Sequence, residues 1–235
     1  MIILSLDCAT ECATVALLSE DKLLGEININ NKKQHSTILM PMIDELLKST
    51  QLSLDDVDGF VVSKGPGSFT GLRVGMSTIK ALSQASKKPF VSISTLDGLA
   101  NNLYGTNGII CPIMDALRGN VYTGLYKFDN DKLITLKEPY VVSIDELLND
   151  LKAKNEKIYF IGDGTFKFCE KLKEEISTCS IAPCHLNVAK ASSLGQIGLN
   201  LIKDGIVDDI YAASPIYLRL SQAEREYEEK MKNNG

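Results

Sequence analysis

The order of apolar and polar positions changes period several times along this chain, and each change marks an element. Ile2 to Leu6 and Ala13 to Leu18 are nearly unbroken apolar runs, which predicts two buried strands; Ser19-Glu20-Asp21 turns the second into a third strand over Lys22 to Ile29. From Ser36 the apolar residues fall in pairs, Ile38/Leu39, Met42/Ile43 and Leu46/Leu47, the stripe of a helix. Pro41 lacks a backbone N–H, so it is expected in that helix's first turn. Gly59 to Ser63 reads as a fourth strand, Leu72 to Ala85 as a second helix and Pro89 to Ile93 as a short fifth strand. Thr95 then caps a third helix.

Past Gly105-Thr106-Asn107-Gly108 the same order starts again. Ile109 to Met114 leads to Asp115 as Ile2 to Leu6 leads to Asp7, and Val121 to Tyr126 stands where the second strand would. Asp131-Lys132-Leu133-Ile134 repeats Asp21-Lys22-Leu23-Leu24, and Ile144 to Leu148 repeats Ile43 to Leu47. Ile158 to Ile161 precedes Gly162-Asp163-Gly164 as the fourth strand precedes its own glycine turn. Each echo is weak alone, but together they keep one order. That order predicts a duplicated α/β unit, strand-strand-strand-helix-strand-helix, in two lobes with a cleft between them. The first lobe takes residues 1–104 and the second residues 105–214, closing with helices over Phe168 to Ile176 and Ala191 to Lys203; residues 215–235 form a charged tail. In that tail Arg225/Glu229, Glu226/Lys230 and Glu228/Lys232 stand four apart with opposite charges, as on an exposed helix.

The densest local signal is Lys64-Gly65-Pro66-Gly67-Ser68-Phe69-Thr70-Gly71-Leu72-Arg73-Val74-Gly75, between the fourth strand and the second helix. Its glycines permit backbone conformations closed to other residues, Pro66 fixes φ, and Ser68 or Thr70 can cap the helix. A strand, a glycine turn and a helix start can hold an anion on unpaired amides. This is not a P-loop, because Leu72-Arg73 follow Gly71 where Lys-Ser/Thr are required. A tight turn without a ligand fits the spacing equally well.

Composition narrows the classes. At 235 residues, with 44% apolar and 23% charged, the chain suits one large globular domain or two small ones. A net charge of −5 argues against a free-standing nucleic-acid binder, so any RNA is expected to be held by a partner. The six cysteines include no Cys-x-x-Cys pair and fit reduced thiols. No apolar run reaches the roughly 20 residues of a membrane span, and Met1 to Asp7 lacks the basic start of a signal peptide, so the expected compartment is the cytoplasm, with no membrane contact.

Candidates for chemistry are few. The two histidines, His35 and His185, are far apart, and Cys179, Cys184 and His185 have poor spacing for zinc. No serine stands in a Gly-x-Ser-x-Gly setting. Asp7 and Asp115, each ending the first strand of its repeat, stand where a two-lobed phosphotransferase keeps a magnesium ligand and a base. The hairpin after Asp7, Cys8-Ala9-Thr10-Glu11, has no glycine to bring amides against phosphate and puts a carboxylate where anions belong. The one after Asp115, Ala116-Leu117-Arg118-Gly119-Asn120, has a single glycine. The aspartates read either as a weakened nucleotide site or as plain strand ends, and a small-molecule phosphotransferase using Asp7 and Asp115 is the rival function.

The glycine stretch Gly65 to Gly75 closely resembles the TsaB (YeaZ) family. So do Asp7 with Thr10, Val91-Ser92-Ile93-Ser94-Thr95-Leu96, Asp115-Ala116 with Arg118-Gly119 and Val121-Tyr122, Gly162-Asp163-Gly164, and Pro215-Ile216-Tyr217-Leu218-Arg219, spanning nearly the whole chain. The resemblance implies an α/β, actin-like ATPase fold (the sugar-kinase, Hsp70 and ribonuclease H-like class) of two duplicated lobes, without catalysis of its own. It implies support for TsaD, the homologous catalytic subunit, which places threonylcarbamoyl on N6 of adenosine 37 in tRNAs reading ANN codons. The ATPase TsaE would be a further partner, TsaC would supply threonylcarbamoyl-AMP, tRNA would be met only through the complex, and the chain alone would form a homodimer. No cofactor or metal is expected on the chain alone, ATP or ADP being confined to a partner interface, and Asp7, Thr10 and Asp115 would be remnants of a nucleotide site. The catalytic relative's paired metal histidines are matched here only by His35, with Leu39 four residues on, and an aliphatic side chain ligates nothing. Peptidase activity, attached to the wider family by name, has no nucleophile–base pair behind it.

In the family the first two helices form the partner surface, in a four-helix bundle. On this chain that assigns Ser68, Phe69, Leu72, Arg73, Met76 and Ile79, with Ile38 and Met42 of the first helix, to the interface, beside the glycine turn Gly65, Pro66, Gly67, Thr70 and Gly71. Helical spacing gives the second helix two apolar sides: Leu72, Met76 and Ile79 toward a partner, and Val74, Ala81 and Ala85 toward the sheet. Gly71 and Gly75 would then let a partner backbone approach. The alternative is a helix buried wholly within a monomer.

Overall fold

The repeat in the sequence becomes two five-stranded mixed sheets in the computed structural model, which describes residues 1–31, 34–154 and 156–219. The first half runs β1 (Ile2–Asp7), β2 (Cys12–Ser19), β3 (Leu23–Asn30), α1 (His35–Ser49), β4 (Gly59–Gly65), α2 (Phe69–Ser86), β5 (Phe90–Ser94) and α3 (Thr95–Asn101). The second runs β6 (Ile109–Asp115), β7 (Asn120–Asp129), β8 (Lys132–Ser143), α4 (Ile144–Lys152), β9 (Ile158–Ile161), α5 (Gly164–Glu175), β10 (Cys179–Ile181) and α6 (Ala191–Lys203). The sheet orders are β3-β2-β1-β4-β5 and β8-β7-β6-β9-β10, the same order twice. In each, the first two strands are antiparallel and the fourth lies parallel beside the first. The duplicated α/β unit is therefore present.

Strand alternation explains why β1 reads as a continuous apolar run. Leu4 and Leu6 face one side, where α1 and α2 complete a core with Val15, Phe60 and Val62, while Ile3 faces the other with Val61, Val91 and Ile93. That second side is covered by α6. A Cβ on Gly198 would lie 2.3 Å from Val61, so α6 rests directly on β4. By chain order α6 falls in the predicted second lobe, residues 105–214, but its apolar stripe of Leu194, Leu199 and Ile202 packs on the first sheet. Conversely, α3 touches both sheets: Leu96 and Leu99, with Leu103 just past its end, pack with Ile110, Met114 and Tyr126 of the second. Each repeat thus ends on a helix that crosses to the other sheet, which ties the lobes together and blurs the boundary at residue 104.

Smaller differences have local causes. Pro41 lies inside α1 rather than in its first turn, on the exposed side, where the carbonyl left without its helical partner is open to water. The cap of α3 is Ser94, whose hydroxyl accepts the Leu96 N–H at 3.2 Å, rather than Thr95. After α6 the chain straps the first lobe: the Asp208 carboxylate accepts the Ser92 N–H at 2.7 Å, Lys80 reaches the Ala213 carbonyl at 2.7 Å, and the Ile216 N–H bonds the Lys64 carbonyl at 2.7 Å. The charged helix expected from Gln222 lies outside the described residues. Among the described residues no helix is long and apolar enough to cross a membrane.

Candidate functional site

The glycine turn folds back on its own chain. Gly65 takes φ 104°, closed to side chains, and the bond to Pro66 is cis. The Ser68 N–H then bonds the Ala9 carbonyl at 2.7 Å, and the Ser68 hydroxyl caps α2 by accepting the Gly71 N–H at 3.2 Å. A Cβ on Gly71 would stand 1.9 Å from the Cys8 carbonyl oxygen, and one on Gly75 would stand 3.1 Å from Leu6. These glycines admit the β1–β2 hairpin, not a partner backbone. With the Ser68, Gly71 and Leu72 amides engaged inside the turn, the tight-turn reading fits better than the anion-site reading.

The faces of α2 are the reverse of those expected. Leu72, Met76 and Ile79 are buried within the chain, as is Met42 of α1, so these four cannot form an outer interface in this fold. The larger apolar residues fill the space over the sheet, and the small ones are left outside: Ser77 and Ala81 are exposed and Val74 half-exposed. Of the predicted interface, Ser68 and Arg73 are exposed, and Phe69 and Ile38 half-exposed. Met40 and Pro41 of α1 join this outer layer. Arg73 is pre-set: its Nε donates to the Tyr217 hydroxyl at 3.0 Å, its guanidinium lies 4.0 Å over the Phe69 ring, and the two rings stack at 4.4 Å. Between the hairpin loop and the starts of α1 and α2 lies a cavity of about 540 Å³, lined by Thr10, Glu11, His35, Ser68, Thr70 and Val74.

Asp7 ends β1 and Asp115 ends β6, in unlike surroundings. Asp7 is fully buried and accepts the Ala9 N–H at 2.6 Å. Burial pushes its carboxyl up to about 6, with the Ala9 N–H and the Ser63 hydroxyl pulling the other way. A carboxyl raised in the folded state stabilises the fold while protonated; that contribution is full below about pH 4 and lost as pH rises through about 6. Asp7→Asn, which keeps the acceptor and removes the buried charge, should therefore raise stability at pH 7.5 by up to about 3 kcal/mol. Urea unfolding of both forms at pH 4 and pH 7.5 checks this: the gain should shrink at the lower pH, and a loss at pH 7.5 would defeat it.

Asp115 is tied by a lysine. Both its carboxylate oxygens lie 3.0 Å from the Lys167 ammonium on α5, and one also accepts the Leu117 N–H at 2.9 Å. The backbone N–H of Asp115 donates to Asp163, whose carboxyl burial pushes up, while the charges of Asp115 and Glu11 add to that shift. Asp115 is thus engaged on both oxygens by a partly exposed lysine of the same chain. Thr10 serves its own hairpin, its hydroxyl accepting the Cys12 N–H at 3.2 Å. His35 lies 3.5 Å from the Glu11 carbonyl, and Leu39 is core. Among the described residues no three His, Cys, Asp or Glu side chains are grouped to hold a metal. Sequence reasoning missed Lys167 and the Tyr217–Arg73 contact; the one available signal for Lys167 was a lysine in the first turn after Gly162-Asp163-Gly164.

Comparison with known proteins bears on the family and the fold. The family described as TsaD, tRNA N6-adenosine threonylcarbamoyltransferase, matches residues 22–227. The tRNA threonylcarbamoyladenosine biosynthesis protein TsaB of Bacillus subtilis is 34% identical, covering 99% of this chain and 100% of that protein. The Escherichia coli protein of the same name is 26% identical, covering 93% and 95%. Among solved structures, a Pseudomonas aeruginosa protein described as similar to the peptidase YEAZ superposes with a TM-score of 0.79 at 24% identity, over 93% of this chain and 99% of that one. An activator of 2-hydroxyisocaproyl-CoA dehydratase from Clostridium difficile, with bound ADPNP, shares the fold at a TM-score of 0.53 and 12% identity, over 87% and 97%.

Proposed function

The chain belongs to the TsaB family of tRNA threonylcarbamoyladenosine biosynthesis proteins, and from that premise we propose that it serves this modification without catalysing it. Its fold is the duplicated two-lobed fold of actin-like ATPases. In this reading it docks a homologous catalytic subunit of the TsaD type on the outer layer of α1 and α2, through Ile38, Met40, Arg73, Val74, Ser77 and Ala81. Short side chains on such a layer let two helix pairs approach closely. The observation that supports the non-catalytic reading is the Asp115–Lys167 pair, because a carboxylate that a phosphotransferase would use for its ion is here bonded on both oxygens by a lysine.

An ATPase of the TsaE type joins the assembly, a nucleotide lies at a subunit junction rather than on this chain, and the isolated chain pairs with itself through the same helix layer. The net charge of −5 fits a protein that meets tRNA through its partner, in the cytoplasm. The test is reconstitution. The purified chain should modify no tRNA alone, and should restore modification to TsaD-type and TsaE-type subunits from the same cell supplied with threonylcarbamoyl-AMP. The double change Asp115→Ala, Lys167→Ala should keep the restored rate within about twofold, since it removes only a partly exposed ion pair. Modification by the chain alone, or tight ATP–magnesium binding lost with Asp115→Ala, would return the phosphotransferase reading.

A further inference from the structure

Where α3 and α6 pack together they leave a cavity that has no part in the function above. It measures about 770 Å³ and lies between these two helices and the start of β8. None of its lining residues belongs to α1, α2, the glycine turn or the loops after Asp7 and Asp115. A smaller hollow of about 320 Å³ shares Asn101 and Gln196 with it and ends on the turn Ser19 to Leu23. By the repeat, Asp21-Lys22-Leu23 at one end answers to Asp131-Lys132-Leu133 at the other, so the space sits where the two halves join. Small-molecule sites favour such junctions, and the volume is in their range.

Its walls differ in chemistry. Leu133, Ile197 and Leu201, all half-buried, give an apolar side. Tyr104 joins them, its ring 61% exposed and fixed edge-on against Phe128 with the centroids 5.3 Å apart. The rest is polar. Among the described residues the Gln196 and Asn200 side chains make no hydrogen bond, while Asn101 donates to the Ser193 carbonyl at 3.2 Å. Asp97 is half-buried; burial raises its carboxyl above the ordinary range, and the Tyr126 and Ser94 hydroxyls beside it pull the other way. Tyr126 is fully buried, and its hydroxyl has no partner at hydrogen-bond length. A displaced carboxyl on a cavity wall, beside an unsatisfied hydroxyl, marks a binding group.

We propose that this cavity binds an uncharged adenine nucleoside, with Tyr104 stacked on the base, Gln196 and Asn200 on its donor–acceptor edge, and Asp97 accepting the ribose hydroxyls. Each role follows from the side chain. A phenol ring offers a flat face to a base. A carboxamide donates and accepts at once, as the N6–N7 edge of adenine requires. A carboxylate, acceptor only when ionised, suits a ribose diol. A phosphate fits less well: among the described residues Lys132 is the only cation on the wall, and Asp97 and Asp131 oppose it. A free amine also fits less well, because the charge of Lys64 already acts on the Asp97 carboxyl.

The full chain is titrated by calorimetry with adenosine, 2′,3′-dideoxyadenosine, AMP and spermidine. Adenosine should bind, and the dideoxy form about tenfold more weakly, since it lacks both hydroxyls. Tyr104→Ala, and separately the pair Gln196→Ala, Asn200→Ala, should each lower the affinity for adenosine about tenfold. All three side chains are exposed, so the melting point should move little. Asp97→Asn should bring adenosine and its dideoxy form within about twofold of each other, a convergence that damage to the fold alone would not produce. No binding of adenosine at about 1 mM, unchanged binding in the Tyr104 and Gln196/Asn200 variants, or tighter binding of AMP or spermidine overturns the proposal. No catalytic subunit enters the measurement, so it fails or succeeds independently of the reconstitution.

Discussion

Gly71→Ala should destabilise the fold by about 3–5 kcal/mol, although in an isolated helix the same change gains about 1 kcal/mol. The sign is set by the neighbour. The added methyl would stand 1.9 Å from the Cys8 carbonyl oxygen and 3.1 Å from its carbon, and rigid backbone cannot yield as a side-chain tip can. Relief requires either the start of α2 to lift or the hairpin loop to fall away. Both routes break the Ser68 N–H bond to Ala9, and the second also disturbs the Ala9 N–H that holds the buried Asp7 carboxylate. Gly105→Ala is the matched control: it has positive φ and nothing within 4 Å of the added Cβ, so it should cost only about 1 kcal/mol of backbone strain. Urea midpoints for the two variants decide the matter, and equal losses would show that the turn does not press on the hairpin as described.

Those same glycines show where sequence reading stops. Burial on both sides of β1 leaves an unbroken apolar run, and repeated order survives even when each echo is weak, so the strands, the duplication and the glycine turn were legible. What a residue packs against was not. Hydropathy marks both sides of α2 as apolar and cannot say which side is the core; size decides, because Leu72, Met76 and Ile79 fill the depth over the sheet and Val74, Ser77 and Ala81 do not. The glycine spacing in α2 allows close approach by any backbone, and only the fold shows that the visitor is Cys8. The apolar stripe of α6 declares burial without declaring which sheet. Lys167 and Asp115 lie 52 residues apart, and no local pattern joins them.

Met76→Glu and Ser77→Glu, adjacent on α2 but one buried and one exposed, should fail in different ways. Met76 is 3% exposed among Leu4, Leu6 and Ile79, so a carboxylate there would lose water without gaining a partner. The expected cost is about 4 kcal/mol or more, a large part of the 5–15 kcal/mol that holds a typical domain together. Ser77 is exposed, and its replacement should move stability by no more than about 0.5 kcal/mol. If the outer layer of α1 and α2 takes the catalytic subunit, Ser77→Glu places a charge where short side chains must meet another helix. Affinity should then fall by about 2 kcal/mol, roughly thirtyfold, while the melting point stays. Sizing each variant with and without the TsaD-type subunit, alongside urea unfolding, separates the two effects. A Ser77→Glu protein that pairs normally would move the docking surface elsewhere on the molecule, and a Met76→Glu protein that folds normally would mean that the core face of α2 has been drawn on the wrong side of the helix.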